Sequence, residues 1–145
     1  MTILSTSSDY DLSLANNELI QFVKKLPGIP EEKYLRFEHK WFLASNAGCS
    51  CNFRHLSGDS IELGFGEPEE WFQEDHDTIE ATHQIAASIR MLIQQGANVD
   101  CLDAWAHGQN DAAILIDDIK VNLAEVSDAA FRFFEEYRFS FTIKA

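Results

Sequence analysis

Positive charge is scarce in this sequence. Lys and Arg together number 11 against 24 Asp and Glu, which leaves a net charge of −13. A protein that works mainly on nucleic acid or on an anionic membrane has the opposite balance, because both partners reward Lys and Arg. Neither nucleic acid nor membrane is therefore expected as a partner. Cysteine is scarce too, at three residues. An odd and small number in a mid-sized chain argues against a disulfide scaffold and makes a cytoplasmic setting the simplest reading. No apolar run reaches the length of a membrane-spanning helix. The start, Met1 to Asp9, has neither the positive region nor the apolar stretch of a secretory signal.

Apolar side chains are present in ordinary measure, at 46%, with 11 Phe and 3 Trp among 145 residues. That is enough for one core in one domain without disulfide help. Residues 1–12 are polar and rich in Ser, Thr and Asp, and read as a flexible N-terminal tail before a single domain over 13–145. Leu19, Ile20, Phe22 and Val23 fall on a helical stripe that ends in Lys24 and Lys25, and Pro27-Gly28-Ile29-Pro30 stops it. Leu35, Phe37, His39, Trp41 and Leu43 alternate with polar neighbours, which predicts a half-buried strand. Ser45-Asn46-Ala47-Gly48 is turn chemistry, and a second strand over about 51–56 is expected to return on the first as a hairpin. Ile61, Leu63 and Phe65 suggest a short third strand.

The strongest periodic element is a helix. Asp77 and Glu80 resemble a capping box, Ile79, Thr82, Ile85, Ala86, Ile89, Leu92 and Ile93 make the stripe, and Gly96 suits its end. Val99 to Trp105 reads as a strand, and His107 to Asn110 as a loop. Alternation at Ile119, Val121 and Leu123 predicts another strand. Ser127 and Asp128 can cap a helix lined by Ala130, Phe131, Phe134 and Tyr137. Phe139, Phe141 and Ile143 alternate to the end in a terminal strand, which could form an edge able to pair between two chains. The class is α+β: a mainly antiparallel sheet packed against two or three helices, in the order α-β-β-(β)-α-β-β-α-β.

Few motifs carry chemistry. Cys49 and Cys51 with His55 offer three soft ligands for a thiophilic metal, although His55 would stand about 13 Å from Cys51 on a strand. A fourth ligand would come from elsewhere, such as Cys101 or His39. The same two thiols beside Arg54 and His55 also read as a reactive pair, or simply as small residues near a turn. Cys101, Asp103 and Trp105 share one strand face, with His107 beyond. These are residue types of a nucleophilic site, but their spacing matches no signature, and a core strand explains them as well. His83 reads as a core or boundary histidine on its helix. Gly64-Phe65-Gly66 is followed by acids and does not form a phosphate loop, and no G-x-S-x-G, HExxH or calcium loop occurs. No cofactor is expected, and an enzyme is less favoured than a binding protein.

Charge is segregated along the chain. Between His55 and Ile119 stand 14 acids and one base, Arg90, whereas residues 21–54 hold six bases and three acids. The densest acidic part holds Glu67, Glu69, Glu70, Trp71, Phe72, Glu74, Asp75 and Asp77. Acids around an aromatic pair suit a docking surface with a desolvated anchor and a charged rim. A solvated acidic face with both aromatics turned inward fits the same residues. The expectation drawn is a small acidic module that docks on a basic protein partner. In size and charge alone it is similar to the bacterial immunity proteins that inhibit toxins. The alternative is a metal- or thiol-dependent protein built on Cys49, Cys51 and His55, and a homo-oligomer is a third possibility.

Overall fold

The structure, a computed structural model, describes residues 1–45, 48–69, 74–105 and 112–144. Six strands form the main sheet: β1 (Thr2–Thr6), β2 (Ile20–Val23), β3 (His39–Ser45), β5 (Val99–Asp103), β6 (Asp117–Asn122) and β8 (Tyr137–Thr142). Two short strands, β4 (His55–Leu56) and β7 (Phe133–Phe134), pair in parallel as a second sheet. The main sheet runs in the order β2-β3-β1-β5-β8-β6 and is antiparallel except for β6 against β8. One α-helix is present among the described residues, α1 (His76–Gln94), together with several short 3-10 helices. The α+β class and the mostly antiparallel sheet hold. The expectation of two or three packed helices does not, and the element order differs.

Residues 2–6 show the largest departure. Expected as part of a flexible tail, they are β1, fully buried between β3 and β5. Their polar side chains tolerate burial because partners wait on the neighbouring strand. Thr2 lies opposite Asp103 and Ser5 opposite Asp100, and each hydroxyl donates to the carboxylate facing it. A buried hydroxyl with a partner loses the penalty that would keep it at the surface.

Two expected helices are strands instead. Ile20 and Phe22 are buried with Gln21 exposed, and this period of two makes the edge strand β2. The stretch after Ser127 makes one 3-10 turn, Asp128–Ala130, and then extends, so that Phe131, Arg132, Phe133 and Phe134 are all buried. The expected hairpin is absent, because β4 pairs with β7 rather than with β3. Residues 58–63 form a 3-10 helix where a third strand was expected. The terminal strand β8 is no edge, since β5 and β6 cover both its sides. The edges of the main sheet are β2 and β6, and β6 carries Asp117, Asp118 and Lys120, charges of a kind that discourage strand addition.

α1 packs on one face of the sheet. Ala81, Thr82, Ile85, Ala86, Ile89 and Leu92 form its buried stripe, as the 3.6-residue period requires. Its C-terminus closes as a Schellman motif. Gly96 sits at φ 90°, its N–H donates to Ile93, and the Ala97 N–H donates to Leu92. Beside the helix, Phe131, Phe133, Phe134, Phe139 and Phe141 join the same core. The opposite face of the sheet is covered by a smaller cluster in which Ile29 and Leu35 meet Ile3, Leu102 and Ala104.

Candidate functional site

Two features of the sequence come together at the end of β5. Asp103 closes that strand and is 1% exposed. His55, 48 residues earlier, begins β4 and places Nδ1 2.6 Å from Asp103 Oδ2. Its Nε2 lies 2.8 Å from the Ser50 carbonyl oxygen. A carbonyl can only accept, so Nε2 donates to Ser50, and a positive charge on the ring would be matched by Asp103 at Nδ1. Burial opposes that charge, but the Asp103 hydrogen bond and charge, helped by the Ser50 carbonyl, outweigh it and hold the pKa above 6.5. The other Asp103 oxygen accepts from the Thr2 hydroxyl at 3.0 Å.

Ser50 is pinned on all sides. Its Oγ donates to Leu43 at 2.6 Å and accepts from the Thr2 N–H at 2.8 Å, while its carbonyl accepts from His55 Nε2. On either side of it, Cys49 and Cys51 are joined by a disulfide. For the alternative metal reading this means that, in this state, the segment presents no thiolate and both nitrogens of His55 have hydrogen-bond partners. No group of three or more metal-ligating side chains occurs among the described residues. The bridge encloses only Ser50, so it is no scaffold of the kind the cysteine count argued against. A cleft of about 320 Å³ lies over these groups, bounded also by Trp105, which is 60% exposed, and by Glu135. Burial and the neighbouring Asp103 push the Glu135 carboxyl above its usual 4.5. Cys101 is fully buried, and burial, with Asp103 and Asp100, pushes its thiol well up. Cys101 and Asp103 therefore lie in a core strand with one acid at its end, and Trp105 stands exposed beyond it. His107 lies outside the described residues.

The His55 pair makes a pH prediction. A folded-state pKa raised above the unfolded value contributes stability that is complete below about 6.5 and is lost as pH rises through the folded pKa. The urea midpoint is therefore expected to fall as pH rises from 6 to 9, and His55→Gln should flatten that fall. Glu135 also has a raised pKa, but its loss begins near 4.5, so the two windows separate in a midpoint-against-pH series.

The acidic residues divide into two groups. Glu74, named as a docking residue, is an internal counter-ion instead. Arg54 is 1% exposed and grips Glu74 with two bonds, Nε to Oε2 at 2.7 Å and Nη2 to Oε1 at 2.9 Å. Arg132 approaches the same carboxylate at 3.5 Å. Glu67, Glu69, Asp75 and Asp77 are exposed. Arg54 Nη2 also donates to the Gly66 carbonyl at 3.0 Å, as does Arg132 at 2.9 Å. One pair of guanidiniums thus ties Gly66 to Glu74. Glu70, Trp71 and Phe72 lie outside the described residues. No described helix is long and apolar enough to cross a membrane. The chain matches no family model, no curated protein and no solved structure.

Proposed function

We propose that the protein is an acidic docking module for a basic protein partner, of the inhibitor or immunity kind. The observation that supports this is how its arginines are used. Arg36 pairs with Asp100, Arg54 and Arg132 with Glu74, Arg90 with Asp128, and Arg138 with Asp118. All five arginines thus meet carboxylates of the same fold. Only six lysines remain to balance the other acids, and Glu67, Glu69, Asp75 and Asp77 stand exposed about the start of α1. An uncompensated negative surface steers a positively charged partner over distances near the Debye length and raises the association rate. Glu70, Trp71 and Phe72 complete the proposed surface in sequence, the aromatics supplying the anchor.

The test has two stages. Tagged protein is used to capture partners from its native lysate with washes of rising salt, and the association rate of any captured protein is then measured. Reversing two exposed charges, Glu67→Lys with Glu69→Lys, is expected to slow association about tenfold at low salt and little at high salt. An association rate indifferent to salt and to both substitutions would remove the proposal.

A further inference from the structure

The Cys49–Cys51 bridge contributes little to holding its segment. The stabilisation a disulfide provides grows with the loop it closes, and this one encloses a single residue. Hydrogen bonds already fix the segment. The Ser45 N–H and hydroxyl both donate to the Cys49 carbonyl, Ser50 is held by Leu43 and Thr2, and His55 holds the Ser50 carbonyl. A bridge that is redundant as a staple and set in a cleft calls for a chemical role.

We propose that Cys49–Cys51 is a redox-active disulfide that exchanges with a thiol entering the cleft beside Trp105. Cys51 is exposed and Cys49 is half-buried, which makes the Cys51 sulfur the point of attack. The incoming thiolate forms a bond to Cys51 Sγ while the Cys49–Cys51 bond breaks, and the electron pair leaves on Cys49 Sγ. The Cys51 N–H points at that sulfur from 3.3 Å and stabilises the thiolate as it forms. His55 lines the same cleft, paired with Asp103, and holds the Ser50 carbonyl between the two cysteines. A second thiolate then attacks the outer sulfur of the mixed disulfide and releases Cys51. Two thiols become one external disulfide, and their two protons end on Cys49 and Cys51. The reverse sequence oxidises an external dithiol. The proposal is independent of partner docking, since none of its groups belongs to the acidic surface.

Cys101 supplies an internal control, because it is fully buried and alkylates only if the fold opens. The native protein is equilibrated with glutathione at stepped ratios of thiol to disulfide, quenched in acid, alkylated and weighed. Cys49 and Cys51 are expected to change together in one two-electron transition, with Cys101 protected. Reduction by glutathione should be about tenfold faster than in a free peptide spanning residues 47–53, as an activated disulfide requires. With Cys49→Ser, a glutathione adduct should accumulate on Cys51. Reduction no faster than in the peptide, or thiols that stay reduced at every ratio, would overturn the proposal. An adduct forming as readily on Cys49 in Cys51→Ser as on Cys51 in Cys49→Ser would overturn the assigned point of attack. Should either variant lose Cys101 protection, the comparison of native protein with peptide decides the matter by itself.

Discussion

Replacing Glu74 with Ala is expected to destabilise the fold by about 3–5 kcal/mol, the usual cost of removing one partner from a buried ion pair. The carboxylate is 8% exposed and sits between two guanidinium side chains that are more enclosed still, at 1% and 5%. Without it, Arg54 keeps its bonds to the Ala129, Phe131 and Gly66 carbonyls but loses its negative counter-charge. Arg132 then faces Arg54 unshielded, and burial together with Arg54 already pulls the Arg132 pKa down. Glu74→Gln keeps the shape and one acceptor oxygen, so it should cost less than Glu74→Ala. The urea midpoint measured for both variants checks this, and a loss below about 1 kcal/mol for Glu74→Ala would show that the pair adds little. Because Glu74 sits inside the fold, an effect of its substitution on partner binding would report unfolding as much as contact.

Phe131→Ala is expected to cost a similar amount, about 3–5 kcal/mol. Its ring is fully buried and lies within 5.2–5.9 Å of the rings of Phe65, Phe133, Phe139 and Phe141. Truncation leaves a cavity walled by four aromatic rings and the sheet, and such walls collapse poorly. Phe131→Leu retains much of the volume and should cost less than half as much. Equal slopes of stability against urea for the two variants would place the loss in the native state. A changed slope would place it in the unfolded ensemble.

Local pattern revealed the elements whose burial is one-sided. The α1 stripe, the β5 run and the alternation in β6 and β8 were visible because each buries one face or lies wholly in the core. β1 was hidden because its hydroxyls are satisfied by Asp100 and Asp103, some 95 and 101 residues away. In β2, Leu19, Ile20, Phe22 and Val23 fit a helical stripe, and the exposed Gln21 between buried Ile20 and Phe22 was the one signal of a strand. Phe131, Phe134 and Tyr137 also share helical spacing. The intervening Phe133, buried as fully as its neighbours, is inconsistent with a one-sided helix.

The candidate site was legible only in pieces. Cys49, Cys51 and His55 stood out by residue type, but the role of His55 depends on Asp103, and nothing local links the two. Glu74 looked like one more member of an acidic run. What distinguishes it from Asp75 is the reach of Arg54 across 20 residues, which only the folded chain supplies. Arg54 itself was read as a neighbour of the cysteines, and its enclosure was not foreseeable from a sequence in which arginine usually stays wet.

The placement of β8 between β5 and β6 has a consequence for the order in which the molecule can assemble. On a ribosome, β6 emerges before the strand it must pair with, and until Tyr137–Thr142 follows it has no neighbour in the sheet. β1 likewise waits for residues near 100 before its second side is covered. At about 5–20 residues per second, these exposed edges persist for seconds during synthesis. Pairings between strands so distant in sequence also close slowly after release. The strand left waiting last, Asp117 to Asn122, is a charged one, and the like charge of neighbouring nascent chains tends to keep them apart.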